Sequence, residues 1–153
     1  MKISSYLMPK GLRPLGIVIL VLGVILVVLK QHFNYKPEFL NLKVFAFYSF
    51  YIEAKSFTFI THQMIEDIGG ILMIAGLFLI AFTREKEETE NLDAIRLKAF
   101  FILAWFNVFY LLISFLFFFG FGFVGALIFF TVGWLIVYIA SFRYLLYRYR
   151  INK

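Results

Sequence analysis

Between Lys98 and Arg143 the chain carries no charged residue. Few folds tolerate such a run. A membrane-spanning helix needs roughly 20 apolar residues to cross about 30 Å of hydrocarbon, so residues 99–142 hold two spans. The break between them falls where Gly120, Gly122 and Gly125 punctuate a Phe-rich sequence. Two more uncharged stretches, 14–29 between Arg13 and Lys30 and 68–83 between Asp67 and Arg84, read as shorter spans. Each is about 24 Å long at the helical rise, so flanking residues must reach the headgroup layer. Composition agrees. The chain is 63% apolar and 16% charged, with 22 Phe, where a soluble domain averages about 25% charged; this excludes a soluble domain or a disordered tail.

The expected fold is an all-α membrane protein, a four-transmembrane-helix bundle forming one integral membrane domain. Its spans are placed at 13–31, 63–84, 92–119 and 124–147, with an outer loop at 32–61 and a cytoplasmic hairpin at 85–97. Eleven of the fifteen Lys and Arg lie in the N-tail, the 84–98 loop and the C-tail, and only Lys30, Lys36, Lys43 and Lys55 lie between helices 1 and 2. Basic residues favour the cytoplasmic side, which predicts both termini inside and a multi-pass protein of the bacterial inner membrane. The N-terminus has the basic residues and apolar core of a secretory signal. It continues as Val28-Leu29-Lys30-Gln31-His32 with no small-residue cleavage site, so the helix is read as retained.

The outer loop has strand character. From Leu40 to Ile52 every even position is apolar, while the odd set mixes Asn41, Lys43, Ser49 and Glu53 with aromatics. Period two argues for a strand. Residues 56–61 (SFTFIT) read as its partner after a Glu53-Ala54-Lys55 turn, giving a small extracytoplasmic β-hairpin between helices 1 and 2. The inner loop reads as a helical hairpin. Arg84 and Lys86 stand at the exit of helix 2, and Glu87, Glu88, Glu90 and Asp93 at the entry of helix 3, each sign where the helix dipole favours it. Asn91 is the expected N-cap, and Leu92, Ile95 and Ala99 extend an apolar stripe below the membrane.

Few polar groups remain for function. Glu66 and Asp67 open helix 2. An acid near membrane depth suggests an ion or substrate role, set against a helix start at the interface or a structural hydrogen bond. His62 and Glu66 stand four apart, as do Gln63 and Asp67; with His32 they offer only a weak metal set. Asn107, Tyr110 and Ser114 share one face of helix 3, and Thr131, Trp134, Tyr138 and Ser141 one face of helix 4. Such stripes point inward in lipid, either as a packing seam or as the lining of a small cavity. Gly16 and Gly23 on helix 1 and Gly69, Gly70 and Gly76 on helix 2 provide close-contact faces. Arg84, Arg96, Arg143, Arg148 and Arg150 are placed at the headgroup interface, where anionic lipids attract them.

Residues 76–90 (GLFLIAFTREKEETE), the start Ala94-Ile95-Arg96-Leu97 and the later Phe106-Asn107 resemble a family of uncharacterised small bacterial four-span membrane proteins. Glu66-Asp67, the 81–86 exit and the basic, Tyr-bearing C-tail share in the likeness, which covers roughly 60–150 and implies the four-span layout without any chemistry. Other four-span classes lack their residues here. Cys is absent, which excludes quinone-coupled disulfide formers, thiolate metal sites and Cys nucleophiles. A mid-membrane Glu in helix 1, required by small multidrug exporters, is missing. So is the Glu and Arg pattern inside the helices of membrane glutathione transferases. The Trp and Cys signature of claudins is missing as well.

Formal net charge is +6, yet the cations punctuate apolar runs instead of gathering on one aqueous face, which argues for lipid headgroups over nucleic acid. The residues imply no cofactor and no nucleophile–base pair. They point to a non-enzymatic membrane protein, an assembly or accessory component that oligomerises with itself or another membrane protein among membrane lipids. The alternative is a small oligomeric channel or transporter whose outer mouth is Glu66 and Asp67.

Overall fold

The computed structural model describes residues 6–50, 54–85 and 90–151. In chain order these form α1 (Leu12–Phe33), a 3-10 turn (Glu38–Leu40), β1 (Asn41–Phe50), β2 (Ala54–Gln63), α2 (Ile65–Phe82), α3 (Glu90–Phe117) and α4 (Phe121–Ile151). The four α-helices are each long and apolar enough to cross a membrane, as in a multi-pass membrane protein. The two strands form a small antiparallel sheet.

Helix ends follow local chemistry. Asn34 closes α1 in the left-handed conformation (φ 47°), which Asn tolerates better than most residues, and the Tyr35 N–H returns to the Leu29 carbonyl at 3.2 Å. Gly120, at φ +58°, does the same between α3 and α4, and its carbonyl accepts the Phe123 N–H at 3.2 Å to start the next helix. That tight turn lets α3 reach Phe117 and α4 begin at Phe121, close to the expected break. With no Pro beyond it, α4 runs on to Ile151, past the expected end at 147.

Two compact units make up the chain, Met1–Leu20 with Ile74–Lys153, and Val21–Met73. The first holds the core. Leu77 and Ala81 of α2 meet Leu92, Ile95, Ala99 and Leu103 of α3 and Leu135, Tyr138, Phe142 and Leu146 of α4. The α3 and α4 sets repeat with the same helical spacing, so one stripe on each helix closes on the other. Their antiparallel alignment runs from the Asn91–Tyr149 hydrogen bond (2.8 Å) to the Phe115–Phe123 ring contact (4.9 Å). Asn91 therefore lies inside α3 and donates through Nδ2 to a Tyr hydroxyl, not at the N-cap expected of it. Glu87 and Glu88 lie outside the described residues.

An extended N-terminal segment also joins this unit. The Met8 N–H donates to the Phe82 carbonyl at 2.9 Å and the Arg84 N–H donates to the Met8 carbonyl at 3.0 Å. The first of these bonds satisfies a carbonyl that the end of α2 leaves open. Together they stop α2 at Phe82, short of the expected 84, and Leu7 is buried beside them.

The second unit contains the sheet. Its register pairs Asn41 with Gln63, Phe45 with Phe59 and Phe50 with Ala54. Ala54 and Lys55, expected in the turn, are strand residues opposite Phe50 and Ser49; the connection is 51–53, outside the described residues. The strand also outlasts its predicted end at Thr61, because pairing continues through His62 and Gln63. Those two residues consequently have no helical spacing to Glu66 and Asp67, and α2 begins at Ile65 instead of 63. Gln63 Nε2 donates to the Pro37 carbonyl (3.1 Å), and the Met64 N–H to the Leu40 carbonyl (3.0 Å). Even-numbered Val44, Ala46, Thr58 and Ile60 are half-buried, while Lys43, Phe45, Phe57, Phe59 and Thr61 form the exposed face.

Candidate functional site

The densest group of charged contacts in the described residues is at the exit of α2. Arg13, in the first turn of α1, reaches Glu85 Oε1 through Nη1 at 3.1 Å, and Arg143 of α4 reaches the same oxygen through Nη2 at 3.0 Å. Only 9% of the Glu85 side chain is exposed, against 32% for Arg13 and 36% for Arg143. A carboxylate buried to that degree needs partners to offset its desolvation, and two cations more than neutralise it. The α1 first turn has no acidic residue of its own, so Glu85 supplies from another element the anion that a helix start favours.

Arg96 lies nearby in the core of this unit, only 2% exposed. Its guanidinium stands 4.6 Å from the ring centroid of Phe142, a cation–π contact, and Nη2 is 3.5 Å from the Thr83 carbonyl. The side chain thus faces protein, where the sequence placed it among headgroup arginines. Thr83 is buried too and donates its hydroxyl to the Leu79 carbonyl. Arg84, Arg148 and Arg150 are exposed.

A second polar group lies between α3 and α4. The Tyr110 hydroxyl donates to the Ala126 carbonyl at 2.8 Å, and its ring stacks on Phe130 at 5.5 Å. Ser114 is 1% exposed. Asn107 shares this face, and its buried Oδ1 has no hydrogen-bond partner among the described residues. The α4 residues are less uniform. Tyr138 stacks on Phe82 (5.7 Å) and Phe142 (6.4 Å), and Trp134 packs at the edge of the core. Thr131 is exposed and donates back to the Ile128 carbonyl of its own helix at 2.6 Å.

In the second unit His62 Nε2 and Asp67 Oδ2 are 2.7 Å apart. This brings His62 to Asp67 and not to Glu66, because His62 belongs to β2 and not to the helix. Glu66 is exposed. No group of three or more His, Asp or Glu poised to hold a metal ion occurs among the described residues.

The glycines separate into two kinds. A Cβ on Gly16 would lie 2.8 Å from Leu79 Cβ and 3.0 Å from the Gly76 carbonyl oxygen, and one on Gly76 would lie 2.6 Å from the Leu20 nitrogen. In the second unit, a Cβ on Gly23 would lie 2.7 Å from the Met73 nitrogen, and one on Gly69 would lie 2.8 Å from Val27 Cγ2. In each unit α1 and α2 meet backbone to backbone at these points. Gly70 has open space around its Cβ direction, so it takes no part.

Comparison with protein-family models, curated proteins and solved structures finds no match in any of the three. The likeness noted over roughly residues 60–150 therefore rests on the residues that carry it. Glu85 escaped the sequence reading because it sits in a run of acids and cations that looks like a solvated loop. Arg13 looked like one more basic residue flanking a span. Their separation of 72 positions leaves no local spacing signal.

Proposed function

We propose that the chain is a non-enzymatic integral membrane protein that works by assembling within the bilayer, with a second copy of itself or another membrane protein. The observation that carries this reading is the outward face of α3. Trp105 is 65% exposed there and stacks on exposed Phe109 at 5.9 Å, beside an open groove of about 190 Å³ lined by Ala104, Trp105 and Val108. Its indole N–H has no hydrogen-bond partner among the described residues. Trp favours membrane interfaces, where its polar end can be satisfied. Trp105 is seven positions beyond Lys98, about 10 Å along the helix, so in a lone chain the N–H would meet hydrocarbon. A neighbouring helix supplies both an acceptor and a surface for the rings.

Contacts across the α3–α4 face favour the same reading. Tyr110, Ser114 and Tyr138 are engaged within the chain, as residues of a packing seam are. Under this proposal the charge bias puts both termini in the cytoplasm and the β-hairpin outside. Light scattering of the detergent-purified protein is expected to give a protein mass at least twice 18.0 kDa, and Trp105→Ala is expected to shift it toward the monomer. A wild-type monomer with no co-purifying membrane partner would refute assembly.

A channel is the second reading, favoured by Asn107 Oδ1, which has no partner among the described residues, and by the exposed acids Glu66 and Asp67. Ion flux in liposomes tests it. Flux abolished by Asp67→Asn combined with Asn107→Leu supports it, and absence of flux from the wild type removes it.

A further inference from the structure

We propose that Arg13 and Arg143, brought together on Glu85, form a binding site for a phosphate-type oxyanion. Three observations support it, and none depends on the assembly reading. The first is charge. Two guanidiniums share a single carboxylate oxygen, at 3.1 and 3.0 Å, so these three side chains together carry a formal charge of +1. The second is donor count. An Arg side chain carries five N–H donors and no acceptor. Each of these two makes its contact with Glu85 and no other side-chain polar contact among the described residues, which leaves most of both donor forks unspent. The third is placement. Glu85 is the buried member and the arginines are each about one-third exposed, so both arginine side chains are more open to their surroundings than the carboxylate that anchors them.

An anion with several oxygens on one centre fits this arrangement. Guanidinium forks match phosphate oxygens in pairs, and two forks anchored on one oxygen can converge on one phosphate. A single-atom anion would use the charge and waste the geometry. Glu85 is a positioning residue here, since it holds each guanidinium through one nitrogen. The two arginines come from α1 and α4, so a bound oxyanion would also tie those helices together. Its source is either the headgroup phosphate of an anionic lipid or free phosphate.

Delipidated protein in detergent would be titrated with phosphatidylglycerol, phosphatidylcholine and inorganic phosphate, reading lipid retention by native mass spectrometry and the thermal midpoint. The proposal expects retention and a raised midpoint with phosphatidylglycerol, with inorganic phosphate, or with both. Response to phosphatidylglycerol alone identifies a lipid headgroup, and response to inorganic phosphate identifies a site for the free anion. Arg13→Gln and Arg143→Gln should each weaken the response about tenfold or more, as loss of charge-assisted hydrogen bonds does. Lys43→Gln, on the exposed face of β1, should leave it unchanged. Arg143→Lys keeps the charge, loses the fork and should recover only part of the response; with the Arg13–Glu85 pair left intact, it also carries the test if Arg13→Gln fails to fold. The proposal is overturned if neither phosphatidylglycerol nor phosphate binds. It is equally overturned if Arg143→Gln and Arg143→Lys respond like the wild type, which would leave the cluster a purely structural ion pair.

Discussion

Two residues on one face of α3 show how differently polar groups can behave at the same depth. Tyr110 spends its hydroxyl on the Ala126 carbonyl at 2.8 Å, whereas Asn107 keeps Oδ1 buried without a partner among the described residues. Interhelical hydrogen bonds in membranes contribute about 0.6 kcal/mol on average and about 1.7 at most. Tyr110→Phe is therefore expected to destabilise by about that much, and Asn107→Leu to be neutral or stabilising because it removes an unsatisfied buried acceptor. Thermal unfolding in detergent measures both. A larger loss for Asn107→Leu than for Tyr110→Phe would show that Asn107 has a partner, in another subunit or in the bilayer. Glu85 is the opposite case, a buried carboxylate that has drawn cations from two other elements. Losing such a charge partner from a fully buried pair costs about 3–5 kcal/mol, and less here because both arginines are partly solvated.

Among the elements, α1 and α2 pack by removing side chains and α3 and α4 by interlocking them. The hypothetical Cβ positions at Gly23 and Gly76 fall 2.7 and 2.6 Å from backbone nitrogens of the facing helix. Neither neighbour can rotate away, so the helices would have to separate. Gly23→Ala and Gly76→Ala are expected to lower stability by about 1–3 kcal/mol, as overpacking does. Gly70→Ala and Gly133→Ala meet nothing within 4 Å and should be neutral or gain up to about 1 kcal/mol from helix propensity. Equal losses at all four positions in a thermal melt would contradict the close-approach argument. The spacing of seven between Gly16 and Gly23, and between Gly69 and Gly76, is visible in sequence. What remains invisible is the pairing, Gly16 with Gly76 and Gly23 with Gly69, since it depends on how two helices cross. The hairpin was legible for a related reason. Alternation with period two identifies a strand, but its ends shifted because register is decided by the partner strand, which carried pairing through Gln63.

At the scale of the whole molecule, the orientation proposed from charge bias makes a direct prediction. Because the chain has no cysteine, single substitutions at exposed Thr61 and Arg150 can be labelled without background. Thr61→Cys should react with a membrane-impermeant maleimide from outside the cell and Arg150→Cys only after the membrane is opened. Labelling of both from the same side would contradict a layout with three spans between them. The number and positions of the apolar helices were determined by sequence alone, because an uncharged run long enough to cross hydrocarbon has almost no other stable placement. Strand character in the 40–61 loop and the small-residue faces were set in the same way, by period and size. Tertiary structure decided the rest. Burial of Arg96 under Phe142 and the convergence of Arg13 and Arg143 on Glu85 join residues whose separation carries no local pattern. Long-range electrostatics and packing are properties of the folded geometry, and in a chain with so few charges that geometry decides what each one does.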